Sequence, residues 1–449
     1  MELKNTRIIH VTPHMGGGVG RVLMNLCEDF GNLIDTPPEI VCLDYLNESA
    51  VEWARARGIA VLADARHCLD KAFSLLERAD IVHLHWWNHP LAYDFLRRMG
   101  NVPCRLVIWA HVNGYNPPNI FREHVCRYPD KFVLGTGYSL EQPLIKNMDR
   151  AWRDTNLRVV FASPGYRHCA GIEPKIHEKF NVTYIGTVDY SKMHPNFVEL
   201  CSSIAVPNVQ FIVCGGPAEQ LLREEVQRRK LQERFDIRGS VKDVPDVLSQ
   251  SDVFGYPLIS GHYGASEVVL IEAQAAGIPP VVLDNGVERF IVEDKVTGFI
   301  VSSPEEYKAA VEYLYSNKEK RRSMGAAGRR RAAEKFHIGV TSSAWLNIYR
   351  EALAGKKRLH DWTCRASFEE GEGKATELFF SALGESDVGK TLRALLQSRS
   401  HDKDLRSKIQ SLPPVFFGNS NGSAKQYAHF FPEDPDLAYL VRALEQIGT

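Results

Sequence analysis

Short apolar runs alternate with amphipathic stretches from the start of the chain to about residue 162. The runs are rich in β-branched and aromatic residues, which predicts strands, and the stretch 22–29 between the first two runs has the spacing of a helix. The predicted strands cover residues 7–12, 39–44, 81–86, 106–112, 131–136 and 157–162. Strands that alternate with helices in this way are typical of a parallel sheet covered by helices.

A polar stretch, residues 165–179, interrupts this rhythm, which then starts again. The second series predicts helices at 196–203 and 219–230, and strands at 181–186, 210–214, 235–238, 253–256, 280–283, 290–293 and 298–301. Two successive series of this kind predict two doubly wound α/β domains, residues 1–176 and 177–340, that face each other across a cleft. Since ligands bind beyond the carboxyl ends of the strands in open α/β sheets, both sheets can contribute to one site there.

The pattern becomes helical and strongly charged after the second series. Residues 305–353 are predicted to be helical, and the segment 341–355 is expected to return towards the first domain. We interpret the arginine-rich run in this part as a solvated helix face. The composition changes after Gly355 and few strand signals follow. We therefore predict a C-terminal appendage, residues 356–449, that is mostly helical or irregular and packs on the main body or on a partner.

Composition and charge exclude several classes of protein. Hydrophobic residues make up 44% of the 449 and the formal net charge is −1, which is typical of a globular protein and does not favour nucleic-acid binding. The nine cysteines include no Cys-x-x-Cys pair, so no zinc ribbon or redox pair is expected, and dispersed thiols fit a cytoplasmic protein. The N-terminus lacks the pattern of a signal peptide, and no apolar run approaches the roughly 18 residues of a transmembrane segment. A peripheral membrane contact remains compatible with the sequence.

One segment, residues 264–282, carries the strongest chemical signal. An apolar run carries one carboxylate, Glu272, into a helix of small residues, and Gly277 and Pro279 stop that helix before a strand. Amides at a helix N-terminus attract phosphate, and a carboxylate one turn further on can accept hydrogen bonds from a ribose. The segment therefore suits a ligand with a diphosphate and a vicinal diol. The alternative is an ordinary buried helix and strand, for which Glu272 is an unusual residue.

Three further groups lie where strands are predicted to end. Residues 16–20 form a glycine-rich loop, but the spacing differs from that of a dinucleotide-binding loop and the lysine of a P-loop is missing. Asp44 nevertheless keeps a dehydrogenase open as an alternative. His111 ends a strand before a glycine-bearing loop, and the alternative for it is an ordinary core or surface histidine. Lys192 follows the first strand of the second domain, where it is either a phosphate ligand or a surface lysine.

These segments occur in an order that resembles a known family. The glycine-rich loop, the strand-end histidine and a Gly186-x5-Lys192 segment are followed by Cys214-Gly215-Gly216-Pro217, the Glu272 helix and Val296-Thr297-Gly298-Phe299. Together they resemble the retaining nucleotide-sugar glycosyltransferases of family four, over roughly residues 7–355. The resemblance implies the GT-B fold, in which two Rossmann-like α/β domains face each other across a cleft.

The resemblance implies where the nucleotide and the sugar of a donor would bind. In this family the second glutamate of a Glu-x7-Glu pair binds the ribose, and Glu272 occupies that position. The first glutamate would lie near the donor sugar, but its position is Gly264. Glu267 is the nearest carboxylate. Either it takes over the role of the first glutamate or the loop is shifted.

The resemblance also implies the remaining contacts with the donor. Lys192 matches the lysine that, together with an arginine, holds the diphosphate, but Thr187 stands at the arginine position, so backbone amides would carry more of the phosphate binding. His111 matches the histidine that contacts the donor sugar near the reacting carbon. The expected catalytic residues are His111, Lys192 and Glu267, and the expected donor-binding residues are Gly17, Gly18, Thr187, Lys192, Gly216, Val268, Val269 and Glu272.

The function implied by the resemblance is the transfer of a sugar, with retention, from a nucleoside diphosphate sugar to an unidentified hydroxyl acceptor (a glycan, a lipid or a small molecule). No metal and no further cofactor are expected, because the two α/β domains contain no Asp-x-Asp triplet. Asp434-Pro435-Asp436 in the appendage is interpreted as a turn before a helix, and His83 and His85 lack a partner carboxylate motif. The alternatives are a sugar-nucleotide epimerase or hydrolase on the same fold, and a non-catalytic relative that binds nucleotide sugars.

Overall fold

The computed structural model of the protein describes residues 3, 5–362, 374–399, 403–418 and 420–448. The chain forms two compact units: unit 1 comprises Met1–Ala162 and Thr341–Thr449, and unit 2 comprises Ser163–Val340. Unit 1 therefore includes the segment 341–355 and the described part of the predicted appendage. Residues 363–373, 400–402, 419 and 449 of that appendage lie outside the described residues.

Within the described residues of unit 1, seven strands form one parallel sheet. They are β1 (Ile8–Thr12), β2 (Glu39–Cys42), β3 (Val61–Leu62), β4 (Ile81–Trp86), β5 (Leu106–Ala110), β6 (Lys131–Leu134) and β7 (Leu157–Val159). Their order is β3-β2-β1-β4-β5-β6-β7, so the direction in which strands are added reverses between β1 and β4. Every residue of β1, β4 and β5 is buried, which explains the nearly continuous apolar runs in the sequence.

Helices connect these strands and bury their apolar faces on the sheet. They are α1 (Gly17–Phe30), α2 (Glu48–Arg57), α3 (Leu69–Arg78), α4 (Pro90–Arg98), α5 (Glu123–Arg127), α6 (Pro143–Asn147) and α7 (Arg150–Asn156). Leu26 and Phe30 of α1 belong to the same buried cluster as Trp109 of β5. The helix predicted at 22–29 is present as part of α1 and begins earlier, at Gly17.

Within residues 163–340, all of which the structure describes, six strands form the sheet of unit 2. They are β8 (Phe180–Ile185), β9 (Val209–Cys214), β10 (Phe235–Gly239), β11 (Val253–Tyr256), β12 (Pro280–Leu283) and β13 (Phe299–Val301). Their order is β10-β9-β8-β11-β12-β13, with the reversal between β8 and β11. The strand predicted at 290–293 is wrong. The amides of Ile291 and Val292 both donate to the Glu288 carbonyl, so this short apolar run forms a turn.

Helices also accompany the strands of unit 2, and one of these helices is almost entirely buried. They are α8 (Phe197–Ser202), α9 (Glu219–Arg228), α10 (Val244–Ser249), α11 (Val268–Ala276), α12 (Pro304–Ser316) and α13 (Lys318–Lys335). Every residue of α11 after Val268 is buried. Its C-cap, Gly277, has a φ of 79°, the left-handed conformation that favours glycine at a helix end.

The arginine-rich helix α13 anchors part of unit 2, so its interpretation as a solvated face is only partly correct. Arg321 forms an ion pair with Asp252 at 3.1 Å. Arg329 donates to the Ala276 carbonyl at 2.9 Å, and Arg331 donates to the Ile291 carbonyl at 2.8 Å. These three arginines tie α13 to a carboxylate and to two backbone carbonyls of neighbouring segments, which a one-dimensional charge pattern does not reveal.

The chain returns to unit 1 through α14 (Ile338–Leu353), whose residues Trp345, Ile348 and Tyr349 are buried in the unit 1 core. The described helices that follow are α15 (Lys374–Leu383), α16 (Asp387–Ser398), α17 (Lys403–Gln410), α18 (Ala424–Phe430) and α19 (Pro435–Gly448). The Asp434 carboxylate accepts hydrogen bonds from the Thr376 amide and from the first amides of α19, as expected for a turn before a helix. No helix in the described part of the chain is long and apolar enough to cross a membrane.

Candidate functional site

A buried ion pair lies at the point of unit 2 where the strand order reverses. Lys192 is on the loop that follows β8, and Glu267 immediately precedes α11, on the connection from β11. The Lys192 ammonium lies 2.9 Å from Oε2 of Glu267, and the two side chains are only 14% and 3% exposed. Because ligands of doubly wound sheets bind at such reversal points, this pair is a candidate for contact with a ligand.

Both members of the pair are charged. Burial alone would raise the pKa of Glu267, but the Lys192 ammonium and other nearby donors outweigh burial and lower it. Burial alone would lower the pKa of Lys192, and the Glu267 carboxylate outweighs that effect and raises it. Removal of either partner would leave the other charge buried without compensation, which destabilises proteins by about 3–5 kcal/mol.

The Glu267 carboxylate fills the space beside Gly264. A Cβ atom placed on Gly264 would lie 1.8 Å from Oε1 of Glu267, far inside van der Waals contact. The other oxygen, Oε2, accepts a hydrogen bond of 2.8 Å from the hydroxyl of Tyr256 at the end of β11. A carboxylate therefore lies where the side chain of residue 264 would begin, although it belongs to a residue further along the chain.

A second buried carboxylate lies near this pair, and the sequence analysis missed it. The Gly264 amide donates to Nδ1 of His262 at 3.1 Å, so the ring hydrogen is on Nε2, which donates to Glu288 at 3.0 Å. His262 Nδ1 also lies 3.8 Å from Oε1 of Glu267. Neither His262 nor Glu288 belongs to a recognisable motif. Both lie in short segments rich in glycine and polar residues, so the sequence gives no signal that either side chain is buried.

Glu272 lies in the interior of α11 and is 1% exposed. Its Oε1 is 3.0 Å from Nε2 of His168, a residue of the segment before β8 whose side chain is 39% exposed. His168, Cys169 and Glu272 also offer metal-ligand atoms within 4.8 Å of one another. Glu272 can be identified from the sequence but His168 cannot, because the histidine lies about a hundred residues earlier in a polar stretch without a motif.

The loops after β8 and β9 lie side by side at the same edge of the sheet. The amide of Val188 donates to the Gly216 carbonyl at 2.9 Å. Gly215 has a φ of 134°, and a Cβ there would lie 1.8 Å from the Gly186 carbonyl oxygen, so only glycine permits this approach. Thr187 and Gly216, two of the expected donor contacts, are thereby held on neighbouring loops.

The first turn of α11 is only partly available to a phosphate group. The Val268 amide, expected to bind the donor, already donates to the Ser266 carbonyl at 2.9 Å. A phosphate would have to displace this hydrogen bond in order to use Val268. Val269, the second amide expected to take part, belongs to a residue that is 9% exposed.

At the carboxyl edge of the unit 1 sheet, aromatic and charged side chains flank the glycine-rich loop. His14 stacks on Tyr45 with 5.0 Å between the ring centroids, and Tyr45 is 51% exposed. Asp44, the residue that kept a dehydrogenase open, forms an ion pair with Arg66 at 3.1 Å. Gly17 and Gly18 are exposed at the start of α1. This edge combines an accessible aromatic ring with hydrogen-bonding groups.

The C-terminal helices reach the same edge of unit 1. Phe430 of α18 lies 5.0 Å from the ring of His89 and 5.3 Å from the guanidinium of Arg66. The described part of the predicted appendage therefore borders the surface near Asp44, which the sequence pattern did not indicate.

His111 follows β5 and is neutral. Burial lowers its pKa to about 3. Its Nε2 lies 2.9 Å from Nδ1 of His85, so one of the two histidines donates to the other. The structure thus gives the expected catalytic histidine a neutral ring with one nitrogen engaged in a hydrogen bond.

Comparison with known proteins places unit 2 in a family context. Residues 171–331 match the family model described as "Glycosyl transferases group 1". The D-inositol 3-phosphate glycosyltransferases of Mycobacterium bovis and Mycobacterium tuberculosis are 26% identical to this chain over 306 residues. That match covers 61% of this chain and 62% of those proteins, so it spans less than two thirds of the relatives' length.

Solved structures match both units. A glycosyltransferase from Rickettsia africae ESF-5 superposes with a TM-score of 0.64 at 17% identity and covers 78% of this chain and 100% of its own. Anabaena Alr3699/HepE in complex with UDP-glucose gives a TM-score of 0.62 at 14% identity, covering 76% of this chain and 99% of its own. These matches confirm the predicted fold class, α/β with two doubly wound sheets and a helical C-terminal region. Together with the family model, they confirm that this chain resembles the family-four glycosyltransferases of the GT-B fold.

Proposed function

We propose that the protein is a retaining glycosyltransferase that moves a sugar from a nucleoside diphosphate sugar to a hydroxyl acceptor without a metal ion. The observation that carries the proposal is the Lys192–Glu267 pair at the strand reversal of unit 2, within the segment that matches the glycosyl transferases group 1 model. Glu272 lies on the helix that Glu267 precedes. The loop after β8 thus supplies a cation, and the segment that enters α11 supplies two carboxylates, one proposed to face the sugar and the other the ribose.

The nucleotide end of the donor is proposed to bind at Glu272. A ribose offers two adjacent hydroxyl groups, and an ionised carboxylate accepts hydrogen bonds from both more strongly than a neutral acceptor does. His168, whose side chain is 39% exposed, lies within hydrogen-bond distance of this buried carboxylate, at 3.0 Å. Ribose binding would share or replace that hydrogen bond.

The diphosphate is proposed to bind between Glu272, which holds the ribose, and Glu267, which acts at the sugar. Lys192 lies beside Glu267 there. Negative charge builds up on the diphosphate as the glycosidic bond breaks, so a nearby cation and backbone amides lower the barrier. In this structure the Lys192 charge is already balanced by Glu267. Binding of a diphosphate would therefore draw Lys192 partly away from Glu267, and Thr187, at the expected arginine position, supplies no second cation.

Glu267 is proposed to act at the donor sugar in place of a glutamate at 264. Its carboxylate lies where a side chain at 264 would begin, and its lowered pKa keeps it ionised, suited to hold sugar hydroxyls or positive charge at the anomeric carbon. A front-face route, in which the departing phosphate helps to deprotonate the acceptor, needs no protein nucleophile. His111 of unit 1 keeps the role that the resemblance gives it, a contact with the donor sugar.

The acceptor is proposed to bind at the carboxyl edge of the unit 1 sheet. Tyr45 offers a half-exposed aromatic face there, and Asp44 and Arg66 offer hydrogen-bonding groups of both charges. An aromatic face with polar groups around it suits a sugar or polyol better than an aliphatic chain. The curated relatives are named for a polyol phosphate, D-inositol 3-phosphate, which agrees with this chemistry.

The decisive experiment supplies UDP-, GDP-, dTDP- and ADP-sugars with and without candidate polyol and glycan acceptors, and follows the products by NMR. We expect a new glycoside with the anomeric configuration of the donor, formed only when an acceptor is present. Free sugar or an epimer in equal amounts without acceptor would show the alternative, an epimerase or hydrolase. Binding of a nucleotide sugar without any turnover would show a non-catalytic relative.

A further inference from the structure

Buried histidines lead through the unit 1 sheet to His111. His10 is on β1 and His85 is on β4, the two strands between which the strand order reverses. Nδ1 of His10 lies 3.1 Å from Nε2 of His85, and Nδ1 of His85 lies 2.9 Å from Nε2 of His111. We call these three residues the histidine relay. Neither His10 nor His85 has a role in the function proposed above.

All members of the relay are neutral at physiological pH. Burial lowers the pKa of His10 and of His111 to about 3, and burial together with the neighbouring histidines lowers that of His85 well below 6.5. A neutral imidazole carries one ring hydrogen, so one of its nitrogens donates and the other accepts.

Only two arrangements of hydrogens satisfy both contacts of the relay. If His85 carries its hydrogen on Nδ1, it donates to His111 Nε2 and accepts from His10 Nδ1, so all three rings carry the hydrogen on Nδ1. If His85 carries it on Nε2, the direction reverses and all three carry it on Nε2. The tautomer of His111 is therefore coupled to that of His10.

His10 decides between the two arrangements. Its Nε2 is buried and has no hydrogen-bond partner among the described residues. The all-Nε2 arrangement would leave an N–H donor unpaired there, whereas the all-Nδ1 arrangement leaves only an unpaired acceptor. Buried donors without an acceptor are the rarer case in proteins, since burial without a partner forfeits the hydrogen bond to water. The all-Nδ1 arrangement is therefore favoured.

A metal ion bound by His10, His83 and His85 is the competing explanation, because their possible ligand atoms lie within 4.8 Å of one another. The rings of His83 and His85 are stacked, with an interplanar angle of 13° and centroids 4.5 Å apart. The lone pair of an imidazole nitrogen lies in the ring plane, so two nearly parallel rings do not direct their lone pairs at one point. Both nitrogens of His85 are in addition already within hydrogen-bond distance of other histidines.

We propose that His85 and His10 are positioning residues that hold His111 in its Nδ1–H form, so that His111 acts in sugar transfer as a hydrogen-bond donor and not as a general base. The role of His111 in sugar transfer rests on the function proposed above, whereas the assignment of its tautomer does not. In this form the ring hydrogen of His111 is on the nitrogen that points away from the relay. We expect it to donate to an oxygen of the donor sugar or its leaving group.

The tautomer is tested by ¹⁵N NMR of the ring nitrogens in the full chain at neutral pH without substrate. We expect His111 to carry its hydrogen on Nδ1 in the wild type and to lose this preference in His85→Leu. His85→Asn should restore it, because the Asn amide can donate from nearly the same position as Nδ1 of histidine. His83→Leu is the matched control. His83 is on the same strand and hydrogen bonds to Tyr349 outside the relay, so its loss should leave His111 unchanged.

Kinetics then test whether the relay matters for transfer. We expect kcat to fall at least tenfold in His85→Leu with little change in KM for the donor, to recover in His85→Asn, and to change little in His83→Leu. A wild-type His111 with its hydrogen on Nε2, or a tautomer that does not respond to His85→Leu, would overturn the assignment without any measurement of activity. If the NMR results hold but no variant or wild type transfers sugar, the proposed function fails while the relay stands.

Discussion

The two units place their chemistry at the same topological position but use opposite kinds of groups. At the reversal between β8 and β11, unit 2 buries a charged pair, Lys192 and Glu267, with a separation of 2.9 Å. At the reversal between β1 and β4, unit 1 buries neutral histidines that hydrogen bond to one another. A parallel doubly wound sheet thus provides the location, and the side chains decide whether the site handles charge or directs neutral hydrogen bonds.

This difference matches the division of labour that the proposed sugar transfer would require. The diphosphate carries the charge that changes during the reaction, so the groups that respond to charge belong with the nucleotide. The hydroxyl groups of a sugar are neutral and need donors and acceptors in fixed positions. If unit 2 binds its ligand through charged groups and unit 1 through neutral hydrogen bonds, substitutions and changes in pH should affect the two units differently.

The largest effect is expected from Lys192→Met. The variant removes the cation that is proposed to stabilise the leaving diphosphate, so turnover should fall about 10²–10³-fold. It also leaves the Glu267 carboxylate buried and unpaired, so the free energy of unfolding should fall by about 3–5 kcal/mol. Adding Glu267→Gln should restore much of the stability but not the turnover. Lys295→Met, which alters a lysine that is 77% exposed, serves as control and should change neither quantity.

Mild acid should destabilise unit 1 more than unit 2. The pKa values of His10 and His111 are about 3 in the folded state and 6.5 when unperturbed, so the unfolded chain binds more protons between these values. Protonation therefore favours unfolding, and stability is lost as the pH falls below 6.5, by about 2 kcal/mol per histidine at pH 5. The pKa of the Glu267 carboxyl group is lowered in the folded state. Its contribution to the free energy of unfolding is therefore lost only when the pH falls below 4.5, the unperturbed pKa of a glutamate.

Hydrogen-exchange protection factors at pH 7 and pH 5 provide the measurement. Amides of β4 should lose protection at pH 5, and those of β11 should keep it. An equal loss in both strands would contradict the contrast between a neutral and a charged site.

Glu267→Gln should change turnover and nucleotide affinity in opposite directions. Turnover should fall at least tenfold because the carboxylate beside the donor sugar is lost. Affinity for a free nucleoside diphosphate should rise about tenfold, roughly 1.4 kcal/mol, because Lys192 no longer has a competing partner. Isothermal titration calorimetry with the diphosphate measures the second effect, and a weaker affinity would show that Glu267 does not compete for Lys192.

Glu272→Ala should weaken nucleotide binding and spare the chemistry. Hydrogen bonds to a charged group contribute about 1.5–3 kcal/mol, so affinity should fall by about 10–100-fold with a smaller change in kcat at saturating donor. His168→Ala is the matched control, because it removes the partner and leaves the carboxylate. Unchanged affinity in Glu272→Ala, with the fold intact by circular dichroism, would refute its contact with the ribose.

The smallest effect is expected from removal of divalent cations. If Lys192 takes the place of a metal ion, EDTA should leave the rate within about twofold of its value with added Mg²⁺ or Mn²⁺. A large loss that is reversed by added metal would refute the metal-independent proposal, and the group of His168, Cys169 and Glu272 would then be the first place to look for the ion.

The fold could be predicted from the sequence because its signals are local. Apolar runs identified β1, β4, β5 and most strands of unit 2, and the glycine and proline after the α11 segment marked where that helix ends. The strand predicted at residues 290–293 is wrong. The apolar run there is too short to show the two-residue period of a strand, and it forms a turn.

The site could be predicted only where one segment carries it. Glu272 and Lys192 each lie in a recognisable segment, but their partners do not. His168, His262 and Glu288 come from loops that the sheet order brings to the same edge, and a pattern within one window does not contain that information. The relay was missed for the same reason, since His10 and His85 are neighbours only because β1 pairs with β4.

A side chain at position 264 would overlap the Glu267 carboxylate, so the two could be present together only if one of them moved. A glutamate at 264 would need the volume that the Glu267 carboxylate occupies, so a chain with both glutamates would have to turn the Glu267 side chain away from its place beside Lys192. A chain with a carboxylate at neither position would leave Lys192 buried without the partner that lies 2.9 Å away here. Both single-step intermediates are impaired, so the exchange is expected to occur as a linked pair of substitutions. We expect relatives of this chain to carry a glutamate at position 264 or at position 267, but not at both.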